Sequence, residues 1–314
     1  MNRLGVTLAS IFALVLQLTA CTTGSGTNHN NPGVPGVPSG GAAHMYISSI
    51  ANPNGAIFVY TLPITTSSTP VATLTTIGGP TNLFIDKNGR LFAPFLSNNV
   101  IWVYNTPLSA ASTPAMILNT ISSGPYGVTE DANGDVFANI PLTNCCIDIF
   151  PAPVSSGQTA AAEITSNSVS PNGLSFPYGI AADSSNNVYT ASNTSIIQLQ
   201  PPLSAASKPV ANVPAAKASL KAIAIDGSND VYVAVDTAIA IYHQPFMSTS
   251  TPAFSITIPG IPYVQGMGFD AKGDLWVTEP GNNVWEIAAP ITASSTPQKI
   301  LTGVPGPWGI AFGP

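Results

Sequence analysis

Residues 124–140 read GPYGVTEDANGDVFANI, and four other segments of the chain repeat this pattern. They are GPTNLFIDKNGRLFAPF (79–95), FPYGIAADSSNNVYTAS (176–192), LKAIAIDGSNDVYVAV (220–235) and VQGMGFDAKGDLWVTE (264–279). Each segment combines a short apolar strand, a turn opened by an aspartate, and a second strand of alternating apolar residues that includes one aromatic. The turns open at Asp86, Asp131, Asp183, Asp226 and Asp270. The pattern predicts five copies of one β-hairpin, with Gly89, Gly134 and Gly273 supplying the positive φ that the turn needs.

A second motif, a proline-led loop such as TLPITTSSTP, occurs six times. Its leading prolines follow one another at intervals of 43 to 49 residues: Pro63, Pro107, Pro153, Pro202, Pro245 and Pro290. This period is typical of a propeller blade with four strands. The first copy lacks the strand that precedes the turn, and GPWGIAF at 306–312 matches that strand. We therefore predict an all-β, six-bladed β-propeller over residues 44–314, with 306–312 completing the first blade.

The composition is poor in charge and agrees with this prediction. Charged residues make up 7% of the 314 positions, the formal net charge is −6, and 45% of the residues are hydrophobic. A typical domain carries about 25% charge. Such a chain is unlike a helical bundle, lacks the basic patch that nucleic acid requires, and is too apolar to be wholly disordered. We expect a monomer that does not bind nucleic acid.

The N-terminal segment has the features of an export signal. Arg3 precedes a short apolar run, and Leu18-Thr19-Ala20-Cys21 resembles the lipobox of bacterial lipoproteins. The resemblance implies a signal peptide over 1–20, diacylglycerol and a fatty acyl chain such as palmitate on Cys21, and a membrane anchor at the cell envelope. Thr22 favours the outer membrane if the source is Gram-negative. The alternative is an ordinary signal peptide with an incidental cysteine. Residues 21–43, rich in Gly, Pro and Ser, predict a flexible linker.

The hairpin motif resembles the NHL-repeat propellers, and residues 261–312 are similar to virginiamycin B lyase and gluconolactonase-type propellers. That resemblance implies a metal-dependent active site on the face that carries the starts of the inner strands. Glu279, Asp236 and Asn82 could supply oxygen ligands there for Ca²⁺ or Mg²⁺. The lyases also use a histidine as general base, and neither His44 nor His243 stands at the corresponding position. The resemblance is therefore informative about fold and weak about activity.

Propeller geometry places the loops of each repeat on two opposite faces of the ring. The aspartate turns lie on one face, which we call the lower face. The starts of the inner strands and the loops between second and third strands lie on the opposite face, which we call the upper face. Aromatic and polar side chains collect on the upper face and form the predicted ligand-binding surface: Tyr126, Tyr178, Lys221, Tyr263, Gln265 and Trp308. Asp148, Glu286 and Glu163 fall on outer strands, where we expect exposed positions.

Cys145 and Cys146 are adjacent in a loop of the third repeat, on the upper face. In an oxidising compartment they predict a vicinal disulfide, with two buried thiols or an intermolecular bridge as alternatives.

Two functional hypotheses follow. The first is an envelope-anchored binding module without catalysis, which requires no cofactor and binds a neutral or glycan-like ligand or an envelope protein. The second is a metal-dependent lyase or lactonase that uses Glu279 and Asp236 with Ca²⁺ or Mg²⁺.

Overall fold

The protein is an all-β, six-bladed β-propeller in a computed structural model. The structure describes residues 43–314 except 52–53, 143–144, 166–173, 194 and 215–219. The predicted signal peptide, Cys21 and linker residues 22–42 lie outside the described residues. None of the described residues forms a helix long and apolar enough to cross a membrane.

Each blade is a four-stranded antiparallel sheet, and the first blade joins the two ends of the described chain. Blade 1 contains β24 (Pro307–Gly313), β1 (His44–Ser49), β2 (Ala56–Thr61) and β3 (Ala72–Thr75). Blade 2 contains β4 (Phe84–Ile85), β5 (Arg90–Phe95), β6 (Val100–Asn105) and β7 (Met116–Asn119). Blade 3 contains β8 (Gly127–Glu130), β9 (Val136–Asn139), β10 (Ile147–Phe150) and β11 (Ala162–Ile164).

The other three blades follow in chain order around the ring. Blade 4 contains β12 (Gly179–Ala182), β13 (Val188–Ala191), β14 (Ser195–Leu199) and β15 (Pro209–Pro214). Blade 5 contains β16 (Leu220–Ile225), β17 (Val231–Val235), β18 (Ala238–Tyr242) and β19 (Phe254–Thr257). Blade 6 contains β20 (Gly266–Phe269), β21 (Leu275–Glu279), β22 (Asn283–Ile287) and β23 (Gln298–Thr302). The inner strands β24, β4, β8, β12, β16 and β20 contact one another in that order around a central channel.

The ring closes as the repeats predict. Strand β24 pairs antiparallel with β1, with His44 opposite Gly313 and Met45 opposite Phe312. Ala43 extends the seam, because its N–H donates to the Gly313 carbonyl at 3.0 Å. Closure completes blade 1 as a four-stranded sheet in which β1 is paired on both sides, by β24 and by β2.

The aspartate turns are one structure repeated five times on the lower face. In every copy Oδ1 of the aspartate accepts the backbone N–H groups of the second and fourth residues after it. The third residue after the aspartate has positive φ, and it is either glycine or asparagine: Gly89, Gly134, Asn186, Asn229 and Gly273. Asparagine tolerates this conformation better than other side chains, which explains its use where glycine is missing.

The second carboxylate oxygen of each turn has its own donor, and the donor depends on the aromatic residue of the next strand. Where that residue has a polar group, it donates directly, as Tyr232 does to Asp226 at 3.2 Å. Where it is Phe92, Arg90 donates to Asp86 at 2.6 Å instead. These hydrogen-bonded carboxylates therefore stabilise the hairpin turns.

The six leading prolines of the repeated loops all follow cis peptide bonds, an identical conformation at Pro63, Pro107, Pro153, Pro202, Pro245 and Pro290. The apolar core lies between the blades and divides into clusters where adjacent sheets pack face to face. One such cluster joins blades 5 and 6 through Tyr232, Ile241, Phe269 and Trp285.

Candidate functional site

Six residues at one repeat position surround the upper end of the central channel. Each lies at the start of an inner strand or within two residues of it: Trp308, Asn82, Tyr126, Tyr178, Lys221 and Gln265, in blade order 1 to 6. We call this group the channel mouth. Five of the six belong to the ligand-binding surface predicted from sequence, and the sixth, Asn82, is a predicted metal ligand; their equivalence as one ring position was missed. An alignment of the six repeats would have revealed it.

A glycine follows the mouth residue in four blades and allows the inner strands to converge. A Cβ on Gly266 would lie 2.2 Å from the carbonyl oxygen of Trp308, and one on Gly309 would lie 2.5 Å from the Leu83 nitrogen. Both distances are far below van der Waals contact. The repeated glycine of the motif therefore brings side chains of different blades within reach of one another.

Two mouth residues from opposite blades bridge the channel. The side-chain amide of Gln265 donates a hydrogen bond to the Tyr126 hydroxyl at 2.7 Å. The Tyr126 ring also packs edge-on against Tyr178 and Trp308, with centroid distances of 4.9 and 5.8 Å. Tyr126 and Gln265 are 3% and 1% exposed. They close the upper end of the channel instead of presenting a surface to solvent.

Burial raises the pKa of Tyr126 well above its ordinary value. The Gln265 amide and the Trp308 indole oppose that rise without cancelling it. The phenol is therefore neutral near pH 7, and its oxygen accepts the Gln265 hydrogen bond.

Below the bridge, the channel encloses a cavity of about 110 Å³ with apolar walls. Representative wall residues are Ile85, Val128, Ile180, Met267 and Phe312. Among the described residues that line it, only Asn82 and Thr129 have polar side chains. The described residues that line this cavity include no titratable side chain.

Above the bridge, the mouth forms a partly exposed aromatic surface with one cation. Tyr178, Tyr263, Lys221 and Trp308 are all half-buried. The Lys221 Nζ lies 4.1 Å from the centroid of the Tyr178 ring, in a cation–π contact, and the Phe176 ring stacks on the same tyrosine at 6.5 Å. Burial lowers the pKa of Lys221. The surface therefore combines the aromatic rings of the mouth with the Lys221 ammonium group, which the Tyr178 ring positions.

The structure does not gather the predicted metal ligands around an open position. Glu279 is 1% exposed, and both of its carboxylate oxygens serve its own hairpin. Oε2 accepts the Gly281 N–H, while Oε1 accepts the Asn283 side-chain amide. Asp236 has a left-handed φ of 54° and its carbonyl accepts the Val264 N–H at 2.8 Å. Asn82 lines the channel. The metal site at these three residues stays a prediction.

The described histidines lie away from the channel mouth. His44 begins β1 at the lower face, opposite Gly313. The His243 Nδ1 lies 2.6 Å from Asp230 Oδ2, beside one of the lower-face turns. Neither histidine is near a mouth residue.

The cysteine loop of blade 3 forms a second polar group on the upper face. Cys145 and Cys146 are joined by a disulfide in the structure. The carboxylate of Glu163 accepts a hydrogen bond from Ser122, and its Oε1 lies 3.8 Å from the Cys145 sulfur. Asp148 lies directly opposite Glu163 in the β10–β11 register.

The expectation that Asp148 is exposed is wrong. Its side chain is 0% exposed, because the loop after β7 in the neighbouring blade covers it, and the Ile121 N–H donates to its Oδ2 at 2.8 Å. Burial, and secondarily the adjacent Glu163 carboxylate, raises the pKa of Asp148 to about 7. Apart from the third-strand position, nothing in the sequence indicates this burial. Glu163 and Glu286 are partly exposed.

Comparisons with known proteins support the fold only. No protein-family model matches the chain. No curated protein matches it either. Solved structures do: a functionally unknown protein from Desulfotomaculum acetoxidans has a TM-score of 0.58 at 13% identity, with 85% of this chain and 98% of that one covered.

Two further solved structures have the same architecture. The periplasmic gluconolactonase PpgL of Pseudomonas aeruginosa has a TM-score of 0.60 at 11% identity, covering 86% of this chain and 99% of that one. The β-propeller domain of Myceliophteria thermophila Cps50 (Swd1) has a TM-score of 0.56 at 10% identity, covering 82% and 83%. At such identities the likeness extends to the propeller and not to its chemistry.

Proposed function

We propose that this protein is an envelope-anchored propeller that binds a neutral, glycan-like ligand at the channel mouth and has no catalysis of its own. The observation that carries the proposal is the half-exposed group of Tyr178, Tyr263 and Trp308 above the closed channel. Aromatic faces are suited to the apolar faces of sugar rings, and a few polar groups beside them fix orientation. Lys221 is the polar group at that place.

The absence of catalysis is supported by the positions of the titratable groups. Glu279 is used by its hairpin, and the five turn aspartates accept backbone hydrogen bonds on the lower face. Within the described chain, the mouth residues include no carboxylate or imidazole. A ligand seated there meets rings, amides and one ammonium group, which favour binding over proton transfer.

Calorimetric titration of the mature protein with uncharged glycan fragments, oligomers of N-acetylglucosamine, tests this proposal. We expect saturable binding, and loss of about tenfold or more in affinity for Trp308→Ala and for Tyr178→Ala. Trp102→Ala, on strand β6 outside the mouth, is the matched control and should bind normally. Equal affinities for all three variants, or no response of the wild type to these fragments, would contradict the proposal.

The alternative is a metal-dependent lactonase or lyase that uses Glu279, Asp236 and Asn82. It is favoured only by the architecture shared with the gluconolactonase. Calorimetric titration with Ca²⁺ and Mg²⁺ separates the two proposals. A binding isotherm that is lost in Asp236→Asn would support the alternative, whereas no heat of binding would remove it.

Anchoring through lipid on Cys21 is a separate part of the proposal and rests on the lipobox. Metabolic labelling with palmitate should mark the wild type and not Cys21→Ser. Label in both proteins, or in neither, would favour an ordinary signal peptide and a protein free in the extracytoplasmic space.

A further inference from the structure

Blade 3 brings two sulfur atoms and a carboxylate together outside the channel mouth. The ligand atoms of Cys145, Cys146 and Glu163 all lie within 4.8 Å of one another, and they are the one such group of three or more His, Cys, Asp or Glu side chains in the described part of the chain. Tetrahedral zinc with two sulfur ligands at about 2.3 Å needs sulfur atoms about 3.8 Å apart. The sulfur–sulfur bond must break and the two side chains must rotate apart to reach that geometry.

A buried carboxylate lies beside this group and faces a second carboxylate. Asp148 is 0% exposed, and the Ile121 N–H donates to its Oδ2. No donor among the described residues reaches its Oδ1, and the Glu163 carboxylate is its charged neighbour. Asp148 is the cross-strand neighbour of Glu163. Unpartnered buried carboxylate oxygens are costly, and a cation in the adjacent group would relieve that cost.

Strands hold the two carboxylates of the group, and the cysteine pair lies in the loop that leads into β10. Glu163 lies on β11 and Asp148 on β10, and Ser122 in the neighbouring loop fixes the Glu163 carboxylate by a hydrogen bond. The Cys146 carbonyl accepts the Ile140 N–H at 2.9 Å, which ties the cysteine pair to the end of β9. Metal sites are built in this way, with ligands on strands and a hydrogen-bonded supporting residue.

We propose that reduction of the Cys145–Cys146 disulfide creates a binding site for a thiophilic divalent cation of the zinc class. Two thiolates and the Glu163 carboxylate are its ligands, and Asp148 supplies the fourth oxygen or orients a water. Thiolates select zinc-class cations over Ca²⁺ and Mg²⁺, so the site differs in chemistry from the one predicted at Glu279 and Asp236.

The redox step requires a thiol reductant. Two R–SH molecules give two electrons and two protons, the sulfur–sulfur bond breaks to leave two cysteine thiols, and R–S–S–R is released. Binding of the divalent cation then displaces both thiol protons to solvent. In the oxidised protein the sulfur atoms carry no negative charge, so the disulfide form does not bind the cation.

The experiment uses the mature protein with and without prior reduction by a phosphine. The phosphine breaks the same sulfur–sulfur bond and is itself oxidised to the phosphine oxide, with water supplying the oxygen atom and the two thiol protons. Cd²⁺ is the probe, and thiolate-to-metal charge-transfer absorption is the signal. We expect about one Cd²⁺ per chain after reduction, none before it, and displacement by Zn²⁺. Labelling of two thiols per reduced chain verifies the reduction.

Substitutions test the ligands. The paired substitutions Cys145→Ser and Cys146→Ser should abolish the absorption band, and Glu163→Gln should weaken Cd²⁺ binding about tenfold or more. Glu286→Gln, a partly exposed carboxylate on β22 that belongs to neither proposed metal site, is the matched control and should bind as the wild type does. The proposal is overturned if the fully reduced wild type shows no band, if the serine variant keeps it, or if Glu163→Gln binds with wild-type affinity. Thermal melting of each variant verifies that it is folded.

Discussion

Gln265 and Tyr126 are 139 positions apart in the chain, and a 2.7 Å hydrogen bond joins their side chains across the central channel. They lie on blades 6 and 3, which are opposite each other in the ring. This contact makes the upper end of the channel a closed surface. Any ligand at the mouth therefore rests on the Tyr126–Gln265 pair and contacts the half-exposed residues around it.

Removal of one partner should destabilise the protein, because it leaves the other buried without a hydrogen bond. We expect Tyr126→Phe to lower the free energy of unfolding by about 1–3 kcal/mol. Tyr178→Phe is the matched control and should change it by less than about 0.5 kcal/mol, because that tyrosine is half exposed and water can replace its contacts. Urea denaturation measures both. Equal losses for the two variants would show that the bridge does not contribute.

The donor that serves each turn aspartate should be exchangeable between blades. Tyr232→Phe removes the hydroxyl that donates to Asp226 and should cost about 1 kcal/mol. In blade 3, where Phe137 stands at the tyrosine position, Asn133 supplies the donor from the second turn position. Adding Ser228→Asn to Tyr232→Phe should therefore restore part of the lost stability.

Thermal melting of the single and double variants tests this exchange. The gain in stability from Ser228→Asn should be larger in the Tyr232→Phe background than in the wild type, because the two donors serve the same oxygen. An equal gain in both backgrounds would argue against a shared acceptor.

Glu130 should make stability depend on pH. It is 6% exposed, and burial, then the charge of Asp86, raises the pKa of its carboxyl from 4.5 to about 7, against the opposing charge of Lys87. Between these two pH values the folded state keeps a proton that the unfolded state has released, so stability falls as pH rises through the window. The loss contributed by this group is on the order of 2 kcal/mol.

Glu130→Gln removes this contribution. Compared with the wild type, the variant should gain in melting temperature at pH 8 and gain much less at pH 5. Calorimetry at the two pH values measures the difference, and an equal change at both would rule out titration of this group as its cause.

Glu279 should behave as a structural residue. In Glu279→Gln the side-chain oxygen can still accept the Gly281 N–H, but the new amide group then faces the Asn283 amide, and two donors cannot bond to each other. One of the two hydrogen bonds to the carboxylate is therefore lost. We expect the free energy of unfolding to fall by about 1.5–3 kcal/mol. Asp236→Asn should change stability less, because Asp236 is partly exposed. Chemical denaturation of both variants measures this difference. A stable Glu279→Gln variant would contradict the assignment.

The fold was predictable because each element is encoded locally and repeated. The turn aspartate, the positive-φ residue three positions later and the aromatic on the next strand are all visible in sequence, and five copies make chance agreement negligible. Ring closure was predictable for the same reason, since residues 306–312 match a strand that the first copy lacks.

The site was predictable only as a set of residues. The sequence places Tyr126 and Gln265 on the same face, but their bond depends on the channel diameter and on how far two side chains from opposite blades reach. Likewise, the burial of Asp148 depends on the loop of a neighbouring blade that contributes Ile121. Contacts between blades are absent from the repeat pattern, because that pattern describes what the blades share.

The seam between β1 and β24 also determines how the molecule responds to mechanical load. A pull transmitted through the N-terminal segment reaches the propeller at Ala43, whose N–H donates a hydrogen bond to Gly313, and acts first on the pairing of His44 with Gly313. Strand β1 is held on both sides, by β24 and by β2, so the force is shared by two rows of hydrogen bonds. A protein tethered at this end is fastened at the joint that keeps its ring closed.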